Sequence, residues 1–223
     1  MTFSTFFILN LFVWGQKSSG AVPFTTLLAL LTLWLGISAP LVYLGSFFAF
    51  KKDAIKPPLR VNNIPRMLPP DDKRAFYSKP LALVPTAGLI VFSNVYFEVY
   101  YIVESVWMHQ FFYMFGILAI IFLLLIVTCV EMSILMTYFQ LCAEDYHWWW
   151  NSFLCGASVS FFVGGYSLFF FVYRLNITNV VSGILFFGYT FLACFALFVM
   201  AGAIGHIGAH LFVRKIYASI KID

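Results

Sequence analysis

Long apolar runs separated by polar segments dominate the chain. A bilayer core about 30 Å thick requires roughly 20 apolar residues per helix. The first run also contains Pro40, which predicts a kink because proline removes a backbone hydrogen bond. The last run is expected to continue as a helix toward Phe212. Full membrane spans are predicted at Phe24–Phe50, Leu83–Ile102, Phe111–Tyr138, Ser152–Tyr173 and Val180–Ile204.

The first apolar segment, Met1–Trp14, is too short to cross a bilayer. A signal peptide carries a basic residue before its apolar stretch, whereas the first basic residue here, Lys17, follows it. We therefore expect the end of a sixth, truncated span. The predicted fold class is an all-α polytopic transmembrane bundle over residues 1–223, forming part of a larger protein.

Three consecutive tryptophans interrupt the apolar pattern between two predicted spans. Indole rings favour the membrane–water interface, so the segment predicts a short, structured loop where one helix leaves the bilayer. The interfacial residues of this tryptophan segment are Glu144, Asp145, Tyr146, Trp148, Trp149 and Trp150.

The acidic pair in this segment has no partner nucleophile nearby in the sequence. We interpret Glu144 and Asp145 as solvated or helix-capping residues. Asp145 and Asn151 are both N-cap candidates for the next helix, because Asp and Asn side chains accept hydrogen bonds from the first turn.

Composition excludes several classes of protein. Hydrophobic residues make up 62% of the chain and charged residues only 10%, which is far from soluble averages. The four cysteines show neither a disulfide framework nor metal-site spacing. The net charge of +4 does not indicate nucleic-acid binding, since charge position matters more than its sum in a membrane protein. No catalytic motif is present, so neither an enzyme nor a cofactor is predicted.

Basic residues predict the orientation in the membrane. Eleven of the 13 Lys and Arg residues lie either in the proline-rich loop 51–80 or in the tail 213–223. Four predicted spans separate the loop from the tail, so both lie on one side, which the positive-inside rule makes cytosolic. The tryptophan segment is two spans from each and is also predicted to be cytosolic.

A few ionisable residues interrupt the apolar runs. Glu98 and Glu131 are costly in a bilayer and should face the bundle interior. His206 and His210 share one face of the last helix, at a depth similar to that of Glu131. A structural hydrogen-bonded pair is the leading interpretation of such a cluster. A proton or ion relay and a metal site are the alternatives.

Small residues recur every fourth position in the last span, at Ala201, Gly205 and Ala209. Such spacing lets another helix approach closely. Packing within the bundle is the favoured interpretation, and docking of a transmembrane helix of another protein is the alternative.

Several motifs together resemble those of the nonaspanins, the transmembrane 9 superfamily. The strongest is the segment Leu141–Phe153, and the others are Ser18–Phe24, Asn63–Arg66, Thr128–Glu131 and Leu185–Tyr189. The resemblance implies a nine-span protein with a large lumenal domain, absent from this chain, and a cytosolic C-terminus. It also implies residence in Golgi and endosomal membranes and a role in sorting other membrane proteins.

The chain ends in Lys221-Ile222-Asp223, which is similar to the ending that binds the COPI coat in that family. The predicted function is therefore sorting and localisation of membrane proteins, by recognition of cargo transmembrane helices and coat binding of the tail. The predicted partners are the lipid bilayer, transmembrane cargo and the COPI coat. An ion, proton or small-solute transporter using the intramembrane Glu and His residues is the alternative.

Overall fold

A computed structural model describes residues 2–15, 22–53, 64, 67, 79–107, 114–175 and 180–219. This part of the chain is almost entirely helical and contains no strand, which confirms the predicted fold class. The elements in chain order are α1 (Thr2–Gly15), α2 (Phe24–Leu33), a π-helical turn (Trp34–Ser38), α3 (Ala39–Phe50), α4 (Pro80–Trp107), α5 (Met114–Cys142), α6 (Trp148–Ala157), α7 (Val159–Tyr173) and α8 (Val180–Ser219).

Four helical segments within the described residues are long and apolar enough to cross a membrane. They are Phe24–Phe50, Ala119–Cys142, Trp148–Tyr173 and Val180–Ser219. The predicted span Leu83–Ile102 lies inside α4, whose apolar described part is the shorter segment Leu81–Tyr96. The expected extension of the last helix is also present, because α8 continues past Phe212 to Ser219 over 40 residues.

The irregularity predicted at Pro40 takes the form of a π-helical turn just before it. Ala39 N–H donates to the Trp34 carbonyl, five residues back, in place of the usual four. The proline ring would clash with the carbonyl of Gly36 in a regular α-helix, and Pro40 has no N–H of its own to donate. The wider turn allows the chain to remain helical from Phe24 to Phe50.

The described residues form two compact units. The first contains α1, α2, the π turn, α3 and α8 up to Gly188. Asn10 of α1 bonds the backbone just before α2: its Nδ2 donates to the Val22 carbonyl at 3.2 Å and its Oδ1 accepts from Val22 N–H at 3.0 Å. Trp14 Nε1 also donates to that carbonyl at 3.0 Å. These bonds satisfy backbone groups next to α2 that would be costly to leave unpaired in a bilayer.

The second unit contains α4 to α7 and α8 from Tyr189 onward. Its apolar core lies between α4, α5 and the α6–α7 pair. Buried residues recur every fourth position along α4, which is the spacing of a ridge that fits between neighbouring helices. These ridge residues are Leu83, Ala87, Val91 and Val95, and they pack with Leu125, Cys129, Met132 and Met136 of α5 and with Cys155 and Val159.

Helices α6 and α8 approach closely where both carry small residues. A Cβ atom added to Gly156 would lie 2.6 Å from the Ala201 carbonyl oxygen, and one added to Gly205 would lie 3.2 Å from Gly156 Cα and would also collide with the Ser133 hydroxyl. Ala201 and Ala209 are fully buried. The small-residue face therefore packs within the chain, and a cargo helix could reach it only by displacing α5 or α6.

This contact predicts a marked difference between two glycine substitutions. Gly156→Ala is expected to lower the free energy of unfolding by about 1–3 kcal/mol, because the added methyl meets backbone that cannot move aside. Gly165→Ala in α7 is the matched control, since a Cβ there has no atom within 4 Å. It should be neutral or stabilising by up to about 1 kcal/mol. Thermal unfolding in detergent measures both, and equal midpoints would contradict the close approach.

Candidate functional site around the tryptophan segment

The loop between α5 and α6 is shorter than expected, because only residues 143–147 lie outside the two helices. Trp148, Trp149 and Trp150 form the first turn of α6 rather than a loop. The end of α5 is a Schellman motif: Glu144 N–H donates to the Leu141 carbonyl at 3.0 Å, and Asp145 N–H donates to the Gln140 carbonyl at 3.2 Å. Glu144 occupies the left-handed position with a φ of 59°, where glycine is usual.

Asp145 shapes the turn that leads into α6. Its side chain is buried, and Oδ1 accepts a hydrogen bond from His147 N–H at 3.0 Å while lying 3.4 Å from the His147 imidazole Nδ1. The N-cap residue of α6 is His147, which makes no side-chain capping bond. The predicted N-cap role of Asp145 and Asn151 is therefore wrong. Asn151 lies inside α6, and Asp145 accepts a hydrogen bond from the N–H of the N-cap residue itself rather than from the first turn of the helix.

Tyr146 and the three tryptophans belong to one sequence motif but lie in different local structures. It lies in the turn before α6, whereas the three tryptophans lie within the helix. Its side chain is exposed, and its ring packs on the neighbouring His147 imidazole with centroids 4.1 Å apart and an interplanar angle of 34°. The expectation of one loop is wrong for the tryptophans, whereas Tyr146 does lie in the turn. An interfacial role for the motif, including Tyr146, stays a prediction.

Trp148 connects the start of α6 to the last helix. Its ring stacks on the His206 imidazole with centroids 5.9 Å apart and an interplanar angle of 14°. The His210 ring is 6.2 Å away at 30°, and the two imidazoles are 6.4 Å apart. The two histidines of α8 thus share one face, as predicted, and that face meets a tryptophan.

His206 adds hydrogen bonds to this aromatic stack. Its Nδ1 lies 3.1 Å from Ser152 Oγ and 3.2 Å from the Trp149 carbonyl oxygen. The Ser152 hydroxyl also donates to that carbonyl at 2.8 Å. A carbonyl only accepts, so the Trp149 contact favours the tautomer with the proton on Nδ1. This arrangement joins α8 to the first turn of α6.

A polar stripe on α5 completes the site, and sequence reasoning missed it. Ser133, Thr137 and Gln140 are almost fully buried. Ser133 Oγ donates to the Ser152 carbonyl at 3.4 Å, Gln140 Nε2 to the His147 carbonyl at 3.1 Å, and Thr137 Oγ1 to the Ser133 carbonyl at 2.7 Å. Their i, i+4, i+7 spacing in an apolar run was the available signal, since it puts all three on one helix face.

The predicted cluster of Glu131 with His206 and His210 does not form. Within the described ranges, no three His, Cys, Asp or Glu side chains come close enough to hold a metal ion. Glu131 is exposed on α5, whereas both histidines face Trp148. Similar depth in the membrane does not specify direction around a helix axis. The Glu98 side chain and the tail Lys221–Asp223 lie outside the described residues.

The stack predicts measurable coupling between Trp148 and His206. In a double-mutant cycle of Trp148→Leu with His206→Ala, the interaction energy should be about 0.5–1.5 kcal/mol, as found for paired rings. The matched control pairs Trp148→Leu with Phe169→Leu, whose ring packs on Tyr173 near the other end of α7. That pair should be additive. Unfolding in SDS titrations measures both cycles, and additivity in the first would refute the stack.

Comparison with known proteins places the site in a family context. The sequence model of the family described as Endomembrane protein 70 matches residues 1–180. Transmembrane 9 superfamily member 10 of Arabidopsis thaliana is 46% identical over 99% of this chain and 34% of its own length. Member 4 of Homo sapiens is 45% identical and member 2 of Rattus norvegicus 44% identical, each over 100% of this chain.

This chain spans about a third of the length of these curated relatives, with 34% and 33% of the human and rat proteins covered. No solved structure matches it. The family match extends over most of the chain and includes the tryptophan segment, the polar stripe of α5 and the start of α6. The chain therefore belongs to the Endomembrane protein 70 family, the transmembrane 9 superfamily, as a multi-pass membrane protein.

Proposed function

We propose that this protein takes part in the sorting and localisation of other membrane proteins in Golgi and endosomal membranes. Family membership supports the endomembrane location in general terms. One structural observation carries the proposal for cargo contact: only 6% of the residues in the most apolar stretch of the span Phe24–Phe50 are buried within this chain. Within this chain most of its circumference is uncovered, so a transmembrane segment of another protein has room to pack there.

The cargo surface is proposed on this span rather than on Ala201, Gly205 and Ala209, which are already covered by neighbouring helices. Gly36 and Gly45 are open positions on the span, because a Cβ added to either has no atom within 4 Å. Small residues on an exposed helix permit close helix–helix approach in lipid. Nearby exposed leucines, such as Leu35 and Leu41, add apolar contact area.

Substituting these glycines tests the cargo surface. Gly36→Leu and Gly45→Leu in the full chain should lower the recovery of co-purified membrane proteins severalfold, because leucine keeps a second helix at a distance. Gly165→Leu is the control, since it is equally open but lies on α7. Quantitative mass spectrometry of material cross-linked in membranes measures recovery. Equal recovery from all three variants would defeat the proposal, provided that their expression and thermal midpoints match.

The proposed coat contact is the tail Lys221-Ile222-Asp223. The preceding helix supports its accessibility: α8 has 40 residues, which corresponds to about 60 Å of helix, about twice the apolar thickness of a bilayer. Arg214 and Lys215 near its end are exposed. These features favour a helix that leaves the membrane before the tail begins, on the side that the basic residues predict to be cytosolic.

Relocalisation tests the tail. Lys221→Ala should shift the full chain from Golgi membranes to later compartments, because the ammonium group needed by a coat subunit is lost. Lys215→Ala removes an equal charge six residues earlier and should leave the distribution unchanged. Quantitative fluorescence microscopy against compartment markers provides the measurement. An unchanged Lys221→Ala distribution, or an equal shift for Lys215→Ala, would contradict a specific tail signal.

An ion or proton pathway through Glu131, His206 and His210 has weaker support. Both imidazoles contact the Trp148 ring, and His206 also hydrogen-bonds to Ser152 and the Trp149 carbonyl. Among the described residues, Glu131 forms no cluster with the two histidines. A relay needs donors and acceptors in hydrogen-bonding reach of each other. The geometry around the histidines is better explained by helix packing.

A further inference from the structure

A recess opens beside the first turn of α6. It has a volume of about 310 Å³ and is lined by Trp149, Trp150, Phe153 and His206. This size is at the lower end of the range for small-molecule sites, about 300–1,000 Å³. All four residues belong to the second compact unit.

Two of the aromatic walls meet nearly at a right angle. The rings of Trp150 and Phe153 have an interplanar angle of 84° and centroids 6.4 Å apart. Phe153 packs against α8. Its ring is edge-on to that of Phe198, with centroids 5.6 Å apart, and it fills the space next to Gly202. A Cβ added to Gly202 would lie 2.6 Å from Phe153 Cε2. The corner is therefore supported by α8.

The lining favours a particular chemistry. It consists of aromatic rings and an imidazole, with no carboxylate, Lys or Arg side chain among the lining residues. Aromatic faces attract a cation through the ring quadrupole, and Trp is the strongest of them. A primary ammonium group also needs hydrogen-bond acceptors, whereas a quaternary ammonium group presents only methyl groups. The recess therefore suits a quaternary ammonium ion.

The surroundings of the recess point to a lipid as the source of that ion. Trp150 is 69% exposed, and Leu154 and Phe161 follow it on the same face of α6 and α7. This face continues with exposed Leu168 and Val172 toward the other end of α7. An apolar path thus leads from the recess along a membrane-spanning segment, where acyl chains would lie.

We propose that the recess binds the choline headgroup of a phosphatidylcholine molecule. The trimethylammonium group lies against the rings of Trp149, Trp150 and Phe153, and the acyl chains follow Leu154 and Phe161. The site is independent of the proposed cargo and coat contacts. In this proposal the consecutive tryptophans have different roles: Trp148 packs against α8, while Trp149 and Trp150 bind a lipid.

The test compares short-chain lipids that differ in headgroup. The full chain in dodecyl maltoside is titrated with dihexanoyl phosphatidylcholine, phosphatidylethanolamine or phosphatidylglycerol, and bound lipid is measured by native mass spectrometry. The choline lipid should bind about threefold to thirtyfold more tightly than the glycerol lipid, in keeping with the range found for one cation–π contact. Equal affinities for all three lipids would mean an apolar site for acyl chains alone and would overturn the proposal.

Two further arms keep the outcome decisive. Trp150→Leu should abolish the preference for choline, whereas Trp34→Leu, which removes another exposed tryptophan, should retain it. If both variants lose the preference, the recess is not the site.

Tetramethylammonium chloride should displace phosphatidylcholine from the unmodified protein more effectively than ammonium chloride at the same ionic strength. This arm does not depend on any variant, and equal displacement by the two salts would refute recognition of a quaternary ammonium group.

Discussion

The second compact unit depends on the close approach of α6 and α8. In lipid, helices gain little from the hydrophobic effect when they associate, so close van der Waals contact and hydrogen bonds must hold them. The glycines and alanines at Gly156, Ala201 and Gly205 bring the two backbones together. Only at that separation can the imidazole of His206 reach the Trp149 carbonyl and the Ser152 hydroxyl.

The polar groups at this junction are shared among three helices. Ser133 and Gln140 of α5 bond to backbone carbonyls at the start of α6, and His206 of α8 bonds to the same turn. The Ser133 bond is buried and the Gln140 bond is partly buried, and leaving such groups unpaired away from water is costly. The tryptophan segment therefore serves as the meeting point of α5, α6 and α8, with one face left for the proposed lipid.

Residue patterns predicted the helical class, most span positions and the irregularity at Pro40, because length and apolarity decide whether a segment can cross a bilayer. The same patterns were misleading for the tryptophan segment. Three aromatic residues in a row suggested a loop, yet they form a helical turn and only Tyr146 of the aromatic motif precedes it. The chain reverses at Glu144 without the glycine that usually marks such a helix end. The buried serine, threonine and glutamine of α5 gave a periodic signal that is weak beside long apolar runs.

The sequence by itself determined that this is a helical membrane protein of the transmembrane 9 superfamily, since composition, run length and family motifs are local properties of the chain. Only the tertiary structure decided which faces meet. Depth along a span can be counted in residues, but direction around the helix axis depends on which neighbour packs there. His206 and His210 thus face Trp148 rather than Glu131, and the small-residue face of α8 is buried against α5 and α6.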